Sequence, residues 1–355
     1  MCHLCINTLY KSLIMCIICD GNYDVNMTHL NCSGCTNITQ IPHLPLLTYL
    51  DCVGCPQISD ISNLPLLNAL YCNECPLLRS ISHLPSLIHL CCVECSLIEN
   101  ISDLPLLSGL NCNRCPLLSN IDAHLQLTQL HMDDCLLINQ IPKSPLLTHL
   151  WCNNCPQLTY IHDFPLLTSL QCSYCILLKV IKELPLLNHL CCINCDLLEE
   201  INNLPFLNFL CCESSQLLTH IFNLPLLTQL HCRGCPLLKN IKELPLLTYL
   251  QCDNCPLLNC IQPFPLLIHL NCNNCDSLTH IDKLPLLVQF ICNNCPFLYL
   301  SYKMRLKWGC QLNKLLNKTR SLQIKTKQKF KNKVSTIIFD NTIFYPVLID
   351  VITDY

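Results

Sequence analysis

The chain has 355 residues, 51% of them hydrophobic and 13% charged, with 35 cysteines and 23 prolines but only six glycines, so its turns must rest on Asn, Asp, Ser and Pro. No apolar run reaches the roughly 18 residues that a membrane span requires, which excludes a transmembrane helix reading. The net charge of −3 conceals a division: residues 1–300 carry 10 Lys and Arg against 21 Asp and Glu, whereas residues 301–333 carry 11 basic residues and no acid.

Residues 1–27 depart from the pattern that follows and, with Cys2, Cys5, Cys16 and Cys19, are expected to form an N-terminal cap. The apolar run Ser12 to Cys19 has only Lys11 as a basic residue before it and no small-residue cleavage site after it, so it does not read as a signal peptide. From residue 28 to 299 one 20-residue phrase recurs in about fourteen copies. A copy reads Leu44-Pro45-Leu46-Leu47-x-x-Leu50-x-Cys52-x-x-Cys55-Pro56-x-Ile58-x-x-Ile61. The first cysteine of the pair recurs from Cys32 to Cys292 with Met132 as its exception, and the second from Cys35 to Cys295 with Ser215 as its exception. A fixed period of this size marks a solenoid of stacked units.

Within a copy, Thr48 to Val53 alternates, with Leu50 and Cys52 on one face and Tyr49, Asp51 and Val53 on the other, which predicts a short parallel strand. After Cys55 the apolar spacing becomes three, through Ile58, Ile61, Leu64 and Leu67. Two prolines interrupt that return arc, so no full helix fits, and extended or 3₁₀ segments are expected. The fold class is thus a mostly β solenoid with one parallel strand per repeat. Leu306 to Leu316 has helical apolar spacing, so residues 300–333 are expected to be a C-terminal cap and basic segment, followed by an apolar tail at 334–355.

The phrase Leu47-x-x-Leu50-x-Cys52-x-x-Cys55-x-x-Ile58-x-x-Ile61-x-x-Leu64 resembles a leucine-rich repeat, Cys52 taking the third strand leucine and Cys55 the Asn/Cys position. The short period and the Leu-Pro phrase are similar to the leucine-rich effectors secreted by bacteria. The cysteine wording resembles still more the repeat proteins of large DNA viruses of amoebae. That resemblance implies a right-handed superhelix that binds proteins without catalysis and, if viral, a setting in the host cytosol.

The cysteines have competing readings. Cys-x2-Cys-x16-Cys-x2-Cys falls within the spacing of four-thiolate zinc sites, which would make the chain a column of metal sites. Against this, both cysteines occupy inward positions otherwise filled by Leu and Ile, where free Cys acts as a small hydrophobe. The reading adopted is a buried thiol ladder with no cofactor, in a reducing cytosol. Disulfides along the column lose on geometry, because neighbouring parallel strands about 4.8 Å apart hold Cβ atoms farther apart than a bridge accepts.

The exposed strand columns vary between copies while the core does not, so binding is expected there. Their densest group is His131, Asp133, Asp134, His149, Trp151 and Tyr174, taken as a candidate partner-binding patch. Cys191 and Cys211 fall on adjacent rungs of that face and form a candidate redox pair. The alternating Lys325-x-Lys327-x-Lys329-x-Lys331-x-Lys333 gives a nucleic-acid contact as an alternative. No phosphate-binding Gly-rich loop, nucleophile elbow or recurring carboxylate pair is present, so the expected function is a protein-binding scaffold and not an enzyme.

Overall fold

The structure is a computed structural model that describes residues 16–298. Residues 1–15 of the expected N-terminal cap, the expected C-terminal cap and basic segment, and the apolar tail lie outside the described residues. The rest is a parallel β-solenoid with almost no helix. Fourteen three-residue strands, from His29–Asn31 and Tyr49–Asp51 to Gln289–Ile291, form one sheet whose order follows the chain. Each residue pairs with the one twenty positions later, as in Leu30 with Leu50 and Leu50 with Leu70. Period and register are therefore one quantity, and a single inserted residue would turn a strand's buried face to solvent.

Main-chain pairing continues past the strand ends. Cys52 N–H donates to the Tyr71 carbonyl at 2.8 Å, and Gly54 N–H to the Asn73 carbonyl at 2.8 Å. The two residues between the paired cysteines make a tight turn, in which Cys35 N–H donates to the Cys32 carbonyl at 3.1 Å and Gly34 sits at φ 71°. That left-handed column is occupied by Gly54, Gly234, Asn154, Asn194 and Asn254, residues suited to it, but also by Glu74, Arg114 and Tyr174.

The prolines have a defined place. Leu47 N–H donates to the Leu44 carbonyl at 3.1 Å across Pro45-Leu46, and Leu78 N–H to the Cys75 carbonyl at 3.2 Å across Pro76-Leu77. Proline has the fixed φ that the first inner position of such a turn requires and no N–H to leave unpaired. The extended part of the arc forms a second, interrupted ladder of two-residue strands in four short sheets, such as Ser80–Ile81, Asn100–Ile101 and Asn120–Ile121. In it, Asp122 N–H donates to the Ile101 carbonyl at 3.0 Å. At the matching position Pro142 has no N–H to give, and the ladder is absent between Asn120–Ile121 and Tyr160–Ile161.

Leu44, Leu47, Leu50, Cys52, Cys55, Ile58 and Ile61 all point inward and are at most 1% exposed. The two cysteines of the pair have different work. The second one donates its thiol hydrogen to the carbonyl of the first cysteine one turn back: Cys55 to Cys32 at 3.1 Å, Cys75 to Cys52 at 3.2 Å, Cys175 to Cys152 at 3.0 Å, and so on to Cys295 with Cys272 at 3.0 Å. Both exceptions in the sequence obey this rule. Ser215 replaces the thiol with a hydroxyl that reaches the same acceptor, the Cys192 carbonyl, at 3.4 Å. Met132 replaces a first cysteine, and its carbonyl still accepts from Cys155 at 3.2 Å.

The first cysteine needs only to be apolar. Where its sulfur reaches a carbonyl, as Cys152 does with Gln171 at 3.5 Å, that carbonyl already holds the N–H of the same residue at 2.8 Å. Burial pushes the thiols of Cys192, Cys212 and Cys232 well above the usual range and that of Cys235 to about 12, so these groups stay protonated at neutral pH.

One inward column carries a fault. His124 and Ser144 stand on successive turns where Leu104 and Leu184 stand elsewhere, each 2% exposed, and neither His124 Nε2 nor Ser144 Oγ has a hydrogen-bond partner. A buried polar group without a partner costs about 1–3 kcal/mol. Replacing His124 and Ser144 with leucine is accordingly expected to raise the urea unfolding midpoint; a fall would show that the polar atoms are satisfied. In the thiol column, Cys175→Ser is expected to stay near wild type, whereas Cys175→Ala, which removes the donor to the Cys152 carbonyl, should cost about 1–3 kcal/mol in the same measurement.

Candidate functional site

The outward residues of the strands form a flat, regularly spaced face on which rings of neighbouring turns stack. Trp151 lies between two histidines. His131, on the preceding strand in direct register with it, stacks at a ring-centroid distance of 4.1 Å and 13° between planes. His149, two residues earlier on the same strand and so on the same face, stacks at 5.5 Å and 10°. Stacked arrangements at these distances contribute beyond the area they bury. Main-chain pairing fixes the spacing, so these rings lose little freedom when a partner arrives.

The other patch residues fall into place unequally. Asp133 takes part in an acceptor ladder: its N–H donates to Asn113 Oδ1 at 2.7 Å, and its Oδ1 accepts Asn153 N–H at 2.7 Å. Asn153 Oδ1 then accepts Ser173 N–H at 2.8 Å. Burial raises the Asp133 carboxyl above its ordinary value. Asp134, at φ 59°, accepts from Asn154 Nδ2 at 2.7 Å and lies 3.6 Å from Arg114 Nε. Tyr174 is 52% exposed and, among the described residues, makes no ring contact with the Trp151 stack. Its φ of 63° belongs to the left-handed turn position that recurs through the repeats, as at Glu74 and Arg114.

A second and longer ring series escaped the sequence reading. His189 stacks on Phe209 at 4.4 Å, Phe209 meets His231 at 5.4 Å, His231 meets Tyr249 at 4.8 Å, and Tyr249 meets His269 at 5.8 Å. The series crosses between the two outward columns of the strand. Its signal lies in the diagonal from Phe209 to His231, which a comparison within single columns passes over.

The candidate redox pair is adjacent, Cys191 and Cys211 being in register on neighbouring strands. Hydrogen bonding from Cys211 is the main cause that draws the Cys191 thiol down to about 6, and Ser173 Oγ lies 3.5 Å from its sulfur. Among the described residues no cysteine is joined in a disulfide. Potential metal ligands converge in two groups of three among the described residues, Cys16 with Cys19 and Cys35, and the exposed His162 with Asp163 and Glu183. No helix among the described residues is long and apolar enough to cross a membrane.

Residues 25–66 match the family described as Leucine Rich repeats (2 copies). Among curated proteins and among solved structures nothing matches the chain. The family match and the solenoid together support a leucine-rich repeat protein.

Burial holds His131 and His189 below the ordinary histidine value of 6.5. The unfolded chain then binds more protons than the folded one as acid is added. This contribution to stability is complete above the ordinary value and declines as pH falls through it toward the lower folded values. Thermal midpoints taken between about pH 7.5 and 5 should fall with acid, and His131→Asn with His189→Asn should flatten the slope. An unchanged slope would place both rings in water.

Proposed function

We propose that this protein is a non-catalytic scaffold that binds a protein partner through the outward face of its strand ladder, with the His131, Trp151 and His149 stack as anchor. The observation that carries this reading is the stack itself: rings at 4.1 and 5.5 Å on a face whose spacing is fixed by main-chain bonds. Aromatic anchors in a rigid setting are what partner recognition favours. Asp133, Asp134 and Tyr174 are the remaining residues of the proposed patch.

Charge indicates the chemistry of the partner. Residues 1–300 carry 21 acidic against 10 basic residues, so a partner surface bearing guanidinium or ammonium groups is favoured, with cations over the ring faces. The resemblance of the cysteine-bearing phrase to viral repeat proteins supports the host cytosol as the setting, where buried thiols stay reduced.

The test is capture of partners from cell lysate on the full-length protein, followed by affinity measurement for the recovered protein. Trp151→Ala with His149→Ala is expected to weaken binding by about 2 kcal/mol or more, roughly thirtyfold, with the circular dichroism spectrum unchanged. Full affinity in that variant would move the interaction off this face.

A further inference from the structure

Three free thiols meet at the N-terminal end of the described chain. Cys16 and Cys19 lie on one helical turn, in which Asp20 N–H donates to the Cys16 carbonyl at 3.1 Å. The turn closes on Gly21 at φ 69°, with Gly21 N–H bonded to the Ile18 carbonyl at 3.1 Å and Asn22 N–H to the Ile17 carbonyl at 3.3 Å. This is the paired hydrogen bonding of a Schellman close, for which the left-handed glycine is required. A three-residue separation on such a turn sets both sulfurs on one side.

Cys35 of the first repeat comes to meet them. The three sulfurs lie within 4.8 Å of one another, and Cys19 Sγ is 3.4 Å from Cys35 Sγ. Sulfurs held about 2.3 Å from one tetrahedral zinc ion are roughly 3.8 Å apart, so small side-chain adjustments bring this group to coordinating geometry.

Cys35 opens its column, and its sulfur meets the Cys19 sulfur where the later cysteines of the column reach a carbonyl one turn back. From Cys55 onward the second cysteine donates to a buried carbonyl. The two cysteines on the turn are accessible, Cys19 being exposed and Cys16 half-buried, which gives an ion a way in.

We propose that Cys16, Cys19 and Cys35 form a thiolate site for one soft divalent ion of the zinc class, with the fourth position open to solvent or to an added donor. On binding, three S–H protons pass to solvent, three sulfur–metal bonds form, and no electron is transferred. The ion ties the entry turn to the edge strand of the fourteen-stranded sheet, the end where an open solenoid needs cover. The site is single and terminal, and the interior thiols of the repeats take no part in it.

The experiment uses full-length protein, reduced, freed of metal with a chelator and titrated with cobalt(II), whose ligand preferences in such sites follow those of zinc. Expected are tetrahedral ligand-field bands and a thiolate-to-cobalt charge-transfer band that saturate at one equivalent and bleach when zinc(II) is added. The Cys16→Ser, Cys19→Ser double variant should lose these bands while keeping the wild-type circular dichroism. Cys35→Ser should weaken cobalt binding by about tenfold or more, and Cys175→Ser, in the interior column, should leave it unchanged. Absence of the charge-transfer band in the wild type would overturn the proposal. So would bands that persist in the double variant, or saturation at several equivalents that falls with Cys175→Ser.

Discussion

A sulfur donating to a main-chain carbonyl one turn back is the interaction on which this solenoid depends. A parallel coil of twenty residues per turn has a narrow interior in which the carbonyl of the first cysteine is buried, as at Cys52 and Cys152. An acceptor in that position needs a donor small enough to fit among leucines. The thiol of the second cysteine meets both conditions, since it is weakly polar, packs as a hydrophobe and still carries a hydrogen. Leucine would fill the space without satisfying the carbonyl. Ser215, at 3.4 Å from the same type of acceptor, is the substitution that such a constraint admits.

The same constraint separates the surface from the core. Because the interior of every turn is occupied alike, turns stack at constant register, and the outward residues of one strand meet those of the next at fixed separations. Those positions are free of packing duty and differ between copies, as Asp51, Tyr71, Cys91 and Asn111 show. Rings that fall in adjacent positions are stacked at Trp151 and brought into stacked or tilted contact from His189 to His269. The surface thereby acquires rigid apolar anchors without a loop to position them. At the edge strand the same column begins with Cys35, which meets the sulfurs of the entry turn.

Much of the fold was legible in the amino-acid sequence because the period equals the register. The alternation around Leu50 and the inward triads Ile58, Ile61 and Leu64 could be read directly, and the structure buries all of them. The outer ladder was less legible, because a two-residue strand such as Ser80–Ile81 has too few residues to show a period, and one of its interruptions coincides with the missing N–H at Pro142. Composition treats the paired cysteines as equivalent, and their different roles emerge only from which carbonyl each sulfur reaches. At the candidate site, His131, His149 and Trp151 were visible because they share a rung or a strand. The long ring series was not, because its contacts run diagonally from Phe209 to His231, and Asp133 proves to be committed to its neighbour's N–H.

The most direct measurement of the central claim is the infrared S–H stretching band of the reduced protein, compared between the folded and the urea-unfolded states. Sulfurs 3.0–3.2 Å from carbonyl oxygens, as at Cys95 and Cys135, predict a folded band that is narrower and displaced to lower frequency than the unfolded one. A folded band at the frequency of a thiol in apolar solvent, or no S–H band at all, would contradict the account.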